Sequence, residues 1–175
     1  MPGSFLKIFA ELEAAVAAGV LRRYAVGGAI AATFYLEPTE TEDVDVFVVA
    51  DEGESPLNPF AELYAWFRAR GAGWRDEHLV VAGWPLHLLP STGPLVDDGL
   101  QHARSETVDG QPVKVLGLEH LAAIALETGR GKDRLRLLQM WESDILDRPR
   151  FLTLVERFGL HERWQKYLLL IEGAS

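Results

Sequence analysis

An α+β fold is what this sequence predicts, and three observations carry the expectation. Up to about Leu116, short apolar strand-like runs alternate with segments of helical period. Beyond Leu118 every segment reads as helix, broken at Gly129, Gly131 and Gly159. Between Tyr24 and Ala50, YAVGGAIAATFYLEPTETEDVDVFVVA, a strand leads into a Gly-Gly turn, a short helix, an acidic loop and a second strand that opens on Asp43-Val44-Asp45. The expected organisation is an α/β core over residues 1–116 and a helical subdomain over 117–175 packed on that core.

Each element has its own justification. Ser4 suits the N-cap of a first helix, in which Phe5, Ile8, Phe9, Leu12, Ala15, Val16 and Val20 recur at helical spacing and Gly19 marks the end. Residues 21–26 form a strand that delivers Gly27 and Gly28, 29–36 the helix behind them, and 37–42, with Pro38, a loop. The strand over 43–50 is followed by the polar loop DEGESPLNP. Asn58 then caps a helix with Pro59 at its first position, Phe60, Leu63, Tyr64 and Phe67 on one side, and Gly71 beyond its end. Strands over 78–81 and 84–89 join near Ala82-Gly83, and 94–103 is a short helix. Residues 105–116 read as a hairpin turned at Asp109-Gly110, a type I′ dipeptide. Helices follow over 118–128 and 132–144 and from near Pro149 and Leu160. Trp141, Trp164 and Tyr24 read as packing residues.

Composition excludes several classes. A chain of 175 residues makes one domain, or a domain with an appendage. A hydrophobic fraction of 48% and a charged fraction of 25% are globular values. The absence of cysteine excludes disulfides and thiolate metal sites and fits a reducing cytoplasm, where the protein is expected to reside. Lys7, Glu11 and Glu13 interrupt the apolar N-terminus, so neither a signal peptide nor a membrane span is expected. A net charge of −9 disfavours broad duplex nucleic-acid binding, which depends on cations against phosphates, but leaves room for a small nucleotide in a locally positive pocket.

The chemistry concentrates in the Tyr24–Ala50 stretch. Residues two apart on a strand share a face, about 6.6 Å apart along the chain, so Asp43 and Asp45 aim both carboxylates at one place. Like charges so placed call for a cation, and Mg²⁺ (or Mn²⁺) suits two hard oxygens with the remaining positions left to water and phosphate. Without Cβ atoms, Gly27 and Gly28 let a phosphate come close to the backbone at the start of a helix.

These residues carry a family resemblance. Val26-Gly27-Gly28, a spacer and Asp43-Val44-Asp45-Val46 resemble the signature of the nucleotidyltransferase superfamily, the DNA polymerase β-like fold. Glu119 to Ala125 with Gly129-Arg130-Gly131-Lys132-Asp133-Arg134 resemble the R-x-K-D helical segment of small prokaryotic members, including the AbiEii-type abortive-infection toxins. The resemblance spans roughly residues 20–140 and implies a mixed sheet flanked by helices. It implies Asp43 and Asp45 as metal ligands, Gly27 and Gly28 at the phosphates, and Arg130, Lys132 and Arg134 closing over the nucleotide.

It also implies a third carboxylate on an adjoining strand, which completes the metal site and takes the proton of the acceptor hydroxyl. That position here is His87, in WPLHLLP, with Asp76 or Glu77 as possible substitutes. Thr39 stands where relatives often carry Arg, and the apolar Ala122 to Ala125 where they carry Lys. Two expectations follow. The first is an NTP-using transferase with Asp43, Asp45 and His87 as catalytic residues and an unknown acceptor, protein, RNA or small molecule. The second is a catalytically degenerate relative that binds nucleotide as a sensor or as the toxin-like half of a two-protein system with a partner protein.

Overall fold

The computed structural model describes residues 3–38, 40–50, 60–75 and 78–172. The readings made of Thr39, the 51–59 loop with its Asn58-Pro59 cap, and Asp76 and Glu77 lie outside these residues.

A seven-stranded sheet is built from β1 (Leu21–Val26), β2 (Val44–Ala50), β3 (Gly73–Arg75), β4 (His78–Val81), β5 (Trp84–Pro90), β6 (Arg104–Val108) and β7 (Gln111–Val115). The strand order is β3-β4-β5-β2-β1-β7-β6. It is mixed: β2 runs antiparallel to β1 and parallel to β5, and β1 runs parallel to β7. Two hairpins flank this centre, β4–β5 and β6–β7. Their turns put Ala82-Gly83 and Asp109-Gly110 at positive φ, as the twist of a two-residue hairpin demands.

Periodicity decides what β2 shows to each side. Val44, Val46 and Val48 are at most 1% exposed, while Asp45, Phe47 and Val49 on the opposite face are half-buried. Burying a valine contributes roughly 1.5–3 kcal/mol, so the valine face anchors a strand whose other face carries an acid in a cleft.

Helices cover the sheet. α1 (Gly3–Ala17) lays Phe5, Ile8, Phe9, Leu12 and Ala15 into the core against β1 and β7, and Ser4 lies within the helix rather than at its cap. α2 (Gly28–Ala32) is shorter than the 29–36 predicted, because the Thr33 hydroxyl bonds back to the Ile30 carbonyl at 2.7 Å and the chain continues as turns. α3 (Ala61–Ala69) buries Leu63 and Phe67, and α4 (Pro94–Gln101) follows β5. The chain then continues as α5 (Leu118–Thr128), α6 (Gly131–Glu142), α7 (Arg148–Arg157) and α8 (His161–Glu172). α5 packs against α2 and α4 and against α6, α7 and α8. Trp164, at 4% exposure, packs edge-on against Trp141 and Phe151.

β3 was not foreseen: Gly-Trp-Arg has no apolar alternation, all three residues are exposed, and pairing with β4 alone makes it a strand. No helix among the described residues is long and apolar enough to cross a membrane.

Candidate active site

Asp45 stands on β2, and Asp43 immediately before that strand, with its backbone carbonyl and carboxylate both receiving the Thr41 hydroxyl (3.0 and 3.3 Å). The parallel register of β2 and β5 sets His87 beside Asp45. His87 Nδ1 lies 3.6 Å from Asp43 Oδ2 and 3.5 Å from Asp45 Oδ1. One acid from each of two positions and an imidazole thus offer three ligand atoms within 4.8 Å of one another. Burial, then the neighbouring charge of Asp43, pushes the Asp45 carboxyl above its usual range, and His87 and Lys132 oppose that push.

The glycine corner is packed onto this acid. Gly27 N–H donates to the Asp45 carbonyl at 2.9 Å, which continues the β1–β2 ladder one step past Val26 and Val46. At Gly27 a Cβ would lie 2.5 Å from the Phe47 ring. At Gly28, where φ is +56°, a Cβ would lie 2.1 Å from Asp45 Oδ2. Two glycines are therefore required for β2 and the α2 turn to approach, whatever else their bare backbone accommodates.

Two clefts meet at Asp45. One, of about 620 Å³, runs past Ala29, the 40–43 loop and the α6 residues Lys132, Leu135, Arg136 and Gln139. The other, of about 380 Å³, has Gly28, Phe47 and His87 on the sheet side and Leu121, Ile124, Arg130 and Arg136 on the helical side. Asp45 and Arg136 line both.

The cations of α6 divide by helical phase. Lys132 and Arg136, four apart, face the clefts, and Arg130 enters the second from the N-cap of α6. Arg134 does not join them: its Nε donates to the Gly129 carbonyl at 2.8 Å, and it lines a separate depression with Arg163 and Tyr167. Arg134, expected at the nucleotide, is therefore not brought to the two clefts but bonds the end of α5, while Arg136 lines both clefts.

Asp133, at 3% exposure, was quoted only as part of a motif, yet it organises this wall. Its carboxylate takes Arg130 Nε at 2.7 Å and Arg136 Nη1 at 3.5 Å, so one buried acid ties down two arginines at the clefts. The Asp133 hydrogen bond, helped by the charge of Asp45 and Asp43, holds the Arg130 guanidinium above its already high usual pKa. The signal was present in the sequence as an acid three residues from each arginine, the spacing at which helical side chains meet. Ala122, Ala123 and Ala125 are buried, and Ile124 contributes apolar wall to the second cleft.

No family model matches the chain, and no curated protein matches it. Solved structures do. The solution structure of the antibiotic-resistance factor ANT(2'')-Ia superposes with a TM-score of 0.58 over 99% of this chain and 98% of that one, at 15% identity. The crystal structure of ANT(2'')-Ia in complex with adenylyl-2''-tobramycin gives 0.55 over 91% and 98%, also at 15% identity. An antigenic nucleotidyltransferase-like protein from Paracoccidioides brasiliensis gives 0.54 over 90% and 88%, at 12% identity. At such identities the likeness is one of fold: the chain has a nucleotidyltransferase-like α+β fold, a mixed sheet flanked by helices.

Proposed function

We propose that this protein is a metal-dependent nucleotidyltransferase that moves a nucleoside monophosphate from an NTP to a hydroxyl of a small molecule. One observation carries the reading: two acids converge beside a double-glycine corner at the junction of two clefts, so two reactants can reach the same carboxylate. The donor set fits a divalent ion, since it is rich in oxygen and pairs Asp45, held above its usual pKa by burial and then by the charge of Asp43, with a second acid. Asp43 and Asp45 would hold Mg²⁺ or Mn²⁺, which when bound screens phosphate charge and aligns an in-line displacement.

The rest of the work belongs to the chain. Gly28, which lines the second cleft beside Asp45, offers its backbone for close approach of a phosphate, while Gly27 is buried against Phe47 and shapes the corner. Lys132, Arg136 and Arg130 face the charge that develops on departing pyrophosphate as the acceptor hydroxyl gives its proton to water, its oxygen bonds to the α-phosphorus and the α–β bridge breaks. The neighbour solved with adenylyl-2''-tobramycin supports a small polyhydroxyl acceptor. Glu40 and Glu42 on the rim of the larger cleft favour one that carries positive charge.

Calorimetry with a non-hydrolysable NTP and Mg²⁺ or Mn²⁺ tests the binding half. Asp43→Asn and Asp45→Asn should each abolish metal-dependent binding, and full binding by both variants would refute the assignment. Incubation with labelled NTPs and candidate acceptors tests the transfer half. His87 at the third-carboxylate position favours one competing reading, a silent nucleotide sensor or AbiEii-like half of a toxin–antitoxin pair. Intact NTP binding without any labelled product would select it.

A further inference from the structure

His87 is held from both ends. Its Nδ1 faces Asp43 Oδ2 and Asp45 Oδ1 at 3.6 and 3.5 Å, beyond the 2.7–3.2 Å usual for an N–H···O bond. Its Nε2 lies 2.9 Å from His78 Nδ1 on β4, with the two rings 4.6 Å apart. The β4–β5 register, which pairs Leu79 with Leu86, puts His78 and His87 opposite each other at the next step. His78, His87 and Asp45 therefore form a row across three adjacent strands on one face of the sheet, fixed by backbone pairing.

The short contact between the imidazoles admits one proton. If that proton is on His87 Nε2, His78 accepts it and the His87 Nδ1 lone pair points at two carboxylates. Such an arrangement of three electron-rich atoms is unfavourable alone and favourable around a cation. A ligating histidine ordinarily donates its other N–H to a neighbour, which fixes its tautomer and orientation. His78 is placed to accept that bond.

We infer that Asp43 Oδ2, Asp45 Oδ1 and His87 Nδ1 form a mixed oxygen–nitrogen triad selective for a first-row transition ion such as Mn²⁺ over Mg²⁺, with His78 as its positioning residue. The inference rests on the reading of Asp43 and Asp45 as a metal pair and adds the selectivity. Replacing a third carboxylate by imidazole removes one negative charge and adds a softer donor. The change weakens Mg²⁺, which gains little from nitrogen, more than a transition ion. The remaining coordination positions stay open to water and phosphate oxygens.

Direct metal titrations on the full chain, without nucleotide, test this. The wild-type protein should bind Mn²⁺ about tenfold or more tighter than Mg²⁺, and pulsed EPR of bound Mn²⁺ should show a nitrogen coupling. His87→Asp should erase the nitrogen signal and narrow the Mn²⁺ to Mg²⁺ ratio by improving Mg²⁺ binding. His78→Ala should weaken Mn²⁺ by roughly tenfold, the usual effect of losing such an orienting partner, and His78→Asn, whose Oδ1 can accept the same hydrogen bond, should restore most of it.

An unchanged ratio in His87→Asp, with both ions still lost in Asp45→Asn, overturns the selectivity and leaves the metal pair standing. Absence of nitrogen coupling in the wild type does the same. Failure of both ions to bind the wild-type chain overturns the metal pair together with the inference.

Discussion

Asp45 is costly where it stands. Folding raises its pKa through burial and the nearby Asp43, so the ionised form destabilises the metal-free protein. A carboxyl raised in this way favours folding below its unfolded pKa and loses that contribution as pH rises through the folded value. Asp45→Asn should therefore raise the Tm at neutral pH without divalent ion by about 2–4 °C, the shift that roughly 1 kcal/mol makes in a chain of this length. The gain should vanish when wild type is saturated with metal; calorimetric melts with and without metal read both. Gly28→Ala should do the reverse. Its Cβ would meet Asp45 Oδ2 and its φ is strained for any L side chain, so a loss of about 1–3 kcal/mol is expected, with weakened NTP binding. The convergence of Asp43 and Asp45 was legible from their two-residue spacing, although Asp43 lies just before β2; the packing of Asp45 onto Gly28 was not, since the sequence alone gave that bare backbone to a phosphate. Arg134 stands away from the clefts: it was grouped with Arg130 and Lys132 as part of one motif, whereas 100° per residue turns Arg134 away from the face shared by Lys132 and Arg136. Arg136→Ala should weaken NTP binding about tenfold, and Arg134→Ala should leave it nearly unchanged.

Among the elements, α4, α5 and α7 are joined by a polar knot whose residues line neither of the two clefts. Asp98 on α4 takes His120 Nε2 of α5 at 2.9 Å and Arg157 Nη1 of α7 at 3.0 Å, and the ring of His102 stacks 6.0 Å from that of His120. Burial alone would push the Asp98 carboxyl up, but the His120 hydrogen bond and the charge of Arg157 outweigh it and hold the carboxyl below the usual range. The sign of the pH effect follows: the contribution is full above the unfolded value of about 3.9 and lost as pH falls through the folded one. Asp98→Asn should cost about 2–3 kcal/mol at pH 7, and its Tm deficit against wild type should shrink as pH drops below roughly 4. None of this knot was legible in advance, because contacts between residues 22 and 59 positions apart depend on helix packing rather than on local pattern. Element boundaries were legible where turn chemistry is explicit, as at Asp109-Gly110 and Gly129. They failed where a short element is made by its neighbour, as with β3, or ended by one side chain, as with α2 at Thr33.

At the scale of the whole molecule, α5 joins the sheet-bearing part to the last three helices. Its Leu121, Ala122 and Ala125 are buried, and the helix contacts α2 and α4 as well as α6, α7 and α8. A chain ended at residue 116 would bare that surface and lose the α6 wall of both clefts, so it should melt non-cooperatively and bind no NTP; circular dichroism and calorimetry on the fragment decide this. The broad α+β order was readable because strand and helix periods separate cleanly along the chain; that the sheet would be mixed came from the resemblance, and the strand order, which depends on long-range pairing, was not read at all. The parallel pairing of β2 with β5 has one further result. Asp45 and His87 are brought together by a register between segments 42 positions apart, whereas the β4–β5 and β6–β7 hairpins close locally. Distant closure is slow relative to hairpin formation. During refolding the proposed Asp43–Asp45–His87 triad should thus mature last, and a metal-sensitive signal should lag behind the recovery of secondary structure.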